Sequence, residues 1–182
     1  MWATGSKSAG VALSVNRAPR GFTLMEILVV VVILGVVIGA VTLAVGSVGG
    51  ERQLARQAEQ VRALIAYACE HAELSGRDVG LSVDTEGFRF SIANRSDWIA
   101  SDASELRARK WLGGTLPTLS RDAQAVAVTD RTPEKPQLVC FSSGELTPFR
   151  LELALAGVTK HFRIDGQPDG ELQLVTVESR AR

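Results

Sequence analysis

Cysteine is scarce in this sequence, with only Cys69 and Cys140 among 182 residues. Two cysteines are no disulfide framework, and their separation is not that of a zinc site. Cys69, Glu70 and His71 are neighbours in the chain, but residues two apart on a helix point about 200° away from each other and do not share a metal. His161, the other histidine, is distant. No metal or cofactor site is expected. Aromatics are few, at 5% of residues. There is no internal repeat, low-complexity tract, phosphate loop, nucleophile motif or carboxylate pair, so nothing in the sequence calls for catalysis. A net charge is missing as well, with 20 basic and 20 acidic residues. Lys7, Arg17 and Arg20 lie in the first 21 residues, which hold no acid, so the remainder carries 17 basic against 20 acidic side chains. A mildly acidic body argues against bulk attraction to nucleic acid, although it does not exclude a local basic patch.

Much of the apolar content sits in one block. Residues 27–45 form a run of 19 without a charge, in which Thr42 is the single hydroxyl. At 1.5 Å per residue a helix of that length spans a hydrocarbon core of about 30 Å. Valine and isoleucine dominate it; in lipid the helix is nonetheless the single-segment form that satisfies its own backbone. The basic leader precedes the run, so the positive-inside rule places residues 1–21 in the cytoplasm and the C-terminal body across the membrane. A secretory signal is cut after its apolar region, and the small residues of 46–50 are a poor match for such a site. The other junction is RG|FTLME, between Gly21 and Phe22, where a cut leaves the apolar run as the new N-terminus. Glu26 stands at the start of that run, where an unpaired charge in lipid costs several kcal/mol.

This junction resembles the signature of type IV pilins and pseudopilins: a basic leader ending in glycine, then Phe, Thr, Leu, a variable residue, Glu and a long apolar helix. Gly21, Phe22, Thr23, Leu24 and Glu26 match in order and spacing. The leader is longer than is usual in the family and has its own weak apolar stretch, VALSV at 11–15, which fits a translation start downstream of Met1. The resemblance implies cleavage between Gly21 and Phe22 by a prepilin peptidase, methylation of the new Phe22 amine, and pairing of the Glu26 carboxylate with the terminal amine of a neighbouring subunit. Two opposite charges meeting in low dielectric attract strongly, whereas each alone is costly. The alternative is a glutamate that snorkels to the headgroups from a helix end.

Glycines in GSVGG at 46–50 predict a kink or melted turn. Helical periodicity then resumes, with Leu54, Ala58, Val61, Ile65, Ala68 and Ala72 at spacings of three and four. That stripe faces a core, Arg52, Arg56, Glu59, Arg62 and Glu73 face outward, and Gly76 stops the helix. From residue 78 the period becomes two. DVGLSVD and GFRFSIA flank a turn at 84–87, a hairpin. ASELRARKW reads as a helical turn, AVAVTD at 125–130 as a strand and TPEKP as a loop. QLVCFS, FRLELAL, KHFRID and ELQLVTV read as four strands, for about seven in all. A helix and a core strand carrying Cys69 and Cys140 are compatible with one disulfide after export, or with two buried thiols acting as small hydrophobes.

FSSGELTPFRLEL at 141–153 is similar to the C-terminal hairpin of the H-type minor pseudopilins of type II secretion, with a glycine turn followed by Thr-Pro. YACEHAELSGRDVGL is similar to that family where its helix hands over to the first strand. Gly144, Thr147 and Pro148 have a plain structural reading as a turn and a strand stop. Residues 95–135 match weakly.

The expected fold is therefore α+β, a long N-terminal transmembrane and amphipathic helix packed on an antiparallel β-sandwich. Its parts are a cleaved leader (1–21), a membrane and assembly helix (22–46), an amphipathic helix (47–76) and a periplasmic β-rich domain (77–182). The resemblance implies a non-enzymatic, single-pass inner-membrane subunit at or near the tip of a short pseudopilus that helps export folded proteins. Implied partners are other major and minor pseudopilins, the prepilin peptidase, the inner-membrane secretion platform and exoprotein cargo. The runner-up is a minor type IV pilin for DNA uptake, with Arg180 and Arg182 as a small basic tail; a solvated tail is the favoured reading, and DNA is not an expected partner. A membrane-anchored periplasmic enzyme is a third reading, under which the N-terminus is retained. Replacing Gly21 by valine is expected to leave the leader attached in a peptidase-positive host. Intact mass reads this directly, and a Met1 terminus retained by the unaltered chain would remove both pilin readings.

Overall fold

The computed structural model describes residues 23–95, 97–101 and 103–178, and for 40–48 the backbone alone. Arg20, Gly21 and Phe22 at one end, and Arg180 and Arg182 at the other, lie outside the described residues. Two compact units, Met1–Val41 and Thr42–Arg182, share one helix, α1, which runs Leu24–Ser75.

In the first unit the described part is helix. Among the described residues no helix is long and apolar enough to cross a membrane. Side chains are described there as far as Gly39, and 24–39 is shorter than the roughly 20 residues a span requires.

The backbone is helical through 46–50, which corrects the expected kink. Three glycines weaken a helix without ending it when good helix formers follow and propagation is cooperative. Gly50 has a packing reason instead. A Cβ there would lie 3.2 Å from Leu155 and 3.3 Å from Val158. At the far end Gly76 has φ +65°, and the Arg77 amide donates to the Ala72 carbonyl at 3.3 Å. This is a Schellman stop at the expected glycine.

Among the described residues ten strands follow, in two antiparallel sheets. They are β1 (Val79–Val83), β2 (Gly87–Asn94), β3 (Asp97–Ala100), β4 (Arg109–Lys110), β5 (Thr115–Arg121), β6 (Gln124–Val126), β7 (Leu138–Cys140), β8 (Phe149–Leu155), β9 (Lys160–Gly166) and β10 (Leu172–Glu178). The first sheet has the order β3-β2-β1-β7, with β4 also on β2, and the second has the order β10-β9-β8-β5-β6. Alternate residues of both sheets join the stripe of α1 in one buried cluster: Leu81, Phe88 and Phe90 from the first, Leu151, Leu153 and Ile164 from the second.

The hairpin at 84–87 forms as expected, through the Asp84 side chain. Its Oδ1 accepts from the amides of Glu86 at 2.9 Å and Gly87 at 2.7 Å. ASELRARKW is a 3-10 turn at Ser104–Leu106 followed by β4, and the strand expected at 125–130 shrinks to β6. β3 and β5 were not expected. The segment 141–153 opens with the expected fold-back, a short one: Cys140 and Leu146 form an antiparallel bridge and the Phe141 amide donates to the Glu145 carbonyl at 2.8 Å. β7 pairs with β1, whereas β8 pairs with β5 and β9, so the chain crosses between sheets there. Gly144 (φ +91°) turns the chain, and Thr147 ends the pairing. Its amide donates to the Val139 carbonyl at 2.9 Å and its hydroxyl accepts from the Val139 amide at 3.1 Å, and the next residue, Pro148, has no N–H to donate.

β1 is buried on both faces. Val79, Leu81 and Val83 face the core, while Gly80 lies under Pro136 and Trp98, at 2.3 Å and 2.9 Å from where a Cβ would stand. Gly80→Val is therefore expected to overpack this site and lower unfolding stability by about 1–3 kcal/mol in urea titration. Gly113→Ala, in open space, is the control and is expected to change it by less than about 0.5 kcal/mol.

Candidate assembly site

The first unit shows apolar side chains on every face. Leu24 is 86% exposed, Val36 67% and Ile38 62%. A helix apolar all round needs either lipid or other helices around it. Glu26 sits in its first turn and is exposed; its carboxylate has no hydrogen-bond partner among the described residues. The backbone around it is well secured. Thr23 caps the helix, its Oγ1 accepting from the Glu26 amide at 3.2 Å while its carbonyl accepts from the same amide at 3.0 Å. Thr23-x-x-Glu26 is the spacing of a capping box, a signal that the sequence reading passed over. The acid at the third helical position also faces the positive end of the helix dipole. The two halves of the expected contact are thus divided: Glu26 is placed, and Phe22 lies outside the described residues.

In the second unit the stripe is buried as expected, every member at 2% exposure or less. Arg52, Arg56, Glu59 and Glu73 are exposed and Arg62 is half-buried. Glu59 and Arg62 pair at 2.6 Å. The guanidinium's hydrogen bond holds the Glu59 carboxyl below its usual range. Lys160 of β9 reaches Glu51 at 2.9 Å, and that hydrogen bond raises the lysine's pKa. His71 stacks on Tyr67 with ring centroids 6.2 Å apart. Among the described residues no group of three or more His, Cys, Asp or Glu could hold a metal.

Cys69 and Cys140 are joined by a disulfide, with Cα atoms 4.9 Å apart and a sequence separation of 71. Of the two readings left open above, the structure adopts the bond. Closing a loop of that length restricts the unfolded chain by about 4 kcal/mol in the chain-entropy account. It joins α1 to β7, two elements whose contact the sequence could not pair.

The weakly matching region 95–135 is tied down at its described residues. Trp98 covers Gly80, Thr132 Oγ1 donates to Asp84 Oδ2 at 2.7 Å, the Thr85 amide donates to the Thr129 carbonyl at 2.9 Å, and Trp111 Nε1 donates to the Asp84 carbonyl at 2.8 Å. A groove of about 420 Å³ on this side is lined by Arg89, Phe90, Trp98, Arg107 and Pro133, among others.

Comparison with known proteins adds the following. Residues 57–170 match the family described as type II transport protein GspH, and residues 16–42 match the prokaryotic N-terminal methylation motif. The chain is 34% identical over 149 residues to type II secretion system protein H of Pseudomonas aeruginosa, covering 78% of this chain and 86% of that protein. It is 32% identical to protein H of Aeromonas hydrophila, covering 73% and 79%. Among solved structures it is similar to the minor pseudopilin EpsH of Vibrio cholerae, with a TM-score of 0.59 and 23% identity over 68% of this chain and 96% of that one. It is also similar to E. coli GspH, with a TM-score of 0.54 and 21% identity over 72% and 92%. These two share its fold.

The cap at Thr23 generates an expectation of its own. Thr23→Val keeps the shape and removes the accepting hydroxyl, at a cost of about 1 kcal/mol to the first turn. Amide exchange at Glu26 in micelles is expected to speed up while exchange in the middle of α1 stays as it was.

Proposed function

The chain belongs to the type II transport protein GspH family, and we propose that it works as a minor pseudopilin of a type II secretion system. The observation that carries this reading is one chain holding both the family's domain at 57–170 and the methylation motif at 16–42. Its role is structural, as a subunit that associates with other pseudopilins. The relatives named above are secretion proteins, in line with the first of the three readings of the sequence and not with the DNA-uptake alternative.

On this reading residues 1–21 are a leader that a prepilin peptidase removes at Gly21, with methylation of Phe22. Residues 22–46 anchor the subunit once across the inner membrane, and the body from 47 onward is periplasmic. The all-round apolar surface of the first unit and the basic leader support this placement. In the assembled pseudopilus, at or near its tip, Glu26 meets the Phe22 amine of a neighbour. The capped first turn holds the carboxylate at a set height on the helix, so the ion pair selects axial register between subunits. The groove beside Trp98 and the segments of 95–135 offer a surface to other minor subunits or to exoprotein cargo. The secretion platform of the inner membrane is the further partner.

Removing one member of a desolvated ion pair costs about 3–5 kcal/mol. Glu26→Ala is therefore expected to be processed and inserted like the unaltered chain, yet to lose crosslinking to neighbouring pseudopilins and to secrete poorly in the native host. Normal crosslinking and secretion would reduce Glu26 to a side chain snorkelling at the headgroups.

A further inference from the structure

We propose that Cys69 and Cys140 are a modification site, the substrate of a thiol–disulfide oxidoreductase, and that their bond latches the last turns of α1 to the first sheet. The hold on α1 is uneven along its length. Leu54, Val61 and Ile65 bury large side chains, but beyond Ile65 the fully buried members are Ala68 and Ala72, one methyl group each. Leu74, the last large apolar residue of the helix, is 80% exposed. Apolar burial scales with area, so residues 66–75 are held far less firmly by packing than the turns before them. The other end of the bond is on β7, a three-residue strand whose Leu138 and Cys140 are buried and where Cys140 pairs with Val79 on one side and Leu146 on the other. The covalent bond therefore ties a thinly packed helix end to a strand buried in the core, and segments of few buried apolar contacts, here 66–75, are the ones that open first.

The exposure of the two sulfurs sets an order of events. Cys69 is half-buried and Cys140 is 5% exposed. The Cys69 thiolate attacks the disulfide of the oxidoreductase, forming a mixed disulfide and releasing one of the enzyme's sulfurs as a thiol. The Cys140 thiolate then attacks the Cys69 sulfur and releases the second. Two protons leave the chain, two electrons pass to the oxidoreductase, and it departs as a dithiol. Such oxidants act outside the cytoplasm, so the helix end is unlatched in the newly made chain and latched after its body has crossed the membrane. That compartment step rests on the proposed function; the latch does not.

The test uses full-length protein in detergent, mapped by peptides without reductant and followed by hydrogen–deuterium exchange before and after reduction. A linked Cys69–Cys140 peptide is expected. Reduction is expected to speed exchange at residues 66–75 by about tenfold or more, leaving β8 and β9 within about twofold. The double variant Cys69→Ser, Cys140→Ser is expected to match the reduced chain; if it fails to fold, the comparison on the unaltered protein still decides. Alkylation of both cysteines without reductant would overturn the proposal, and so would exchange at 66–75 that ignores reduction. Secretion is not the readout, so a failed latch leaves the pseudopilin reading standing, and a failed pseudopilin reading leaves the latch.

Discussion

The buried face of α1 formed by Leu54, Ala58, Val61, Ile65, Ala68 and Ala72 is the constraint on which the rest of the second unit depends. Residues of both sheets belong to the same buried cluster as this stripe, so neither sheet completes its core without it. Half of the stripe is alanine, which lets strand side chains come close to the helix backbone. Cys140 Sγ lies 4.0 Å from the Ile65 carbonyl oxygen. The same economy of volume leaves the last turns thinly anchored, and the structure answers with a glycine stop at Gly76 and a covalent tie at Cys69.

The first unit obeys the opposite rule. Its apolar side chains are exposed all round, so whatever surrounds it must come from outside the chain. Placing a carboxylate in such a surface is tolerable only where a charge of opposite sign is supplied by a partner or where the headgroups are within reach. The capped first turn at Thr23 makes the position of Glu26 a defined one. The two units thus differ in what they cover: the described side chains of the first leave their apolar surface open, while the second closes on its own core.

Elements whose evidence is local were legible in the sequence. The helical stripe was read at all six positions because period 3.6 with small and branched residues has one reading when Gly76 follows it. The hairpin at 84–87 and strands β8 to β10 were read from period-two runs bounded by turn residues. β5 was missed because it contains Pro117. That proline is buried and lies opposite Leu153 of β8, while β6 pairs only with 119–121. Beside Pro117 the other edge of β5 is therefore open, which is where a strand tolerates proline. β3 and β4 are too short to show a period. The glycines at 46–50 misled because a glycine chosen for close approach, as Gly50 is against Leu155, looks in sequence like one chosen for a bend.

By itself the sequence determined the apolar run that begins beside Glu26 and which face of α1 would be buried. Each is a pattern over a few adjacent turns, set by side-chain chemistry and helical geometry. Only the tertiary structure decided that Cys69 meets Cys140, that the chain leaves its short fold-back at Leu146 and joins the other sheet as β8, and that Trp98 and Pro136 close over Gly80. Those contacts join residues tens of positions apart. No local period encodes which strand lies beside which; that follows from packing two sheets and one helix around a common core.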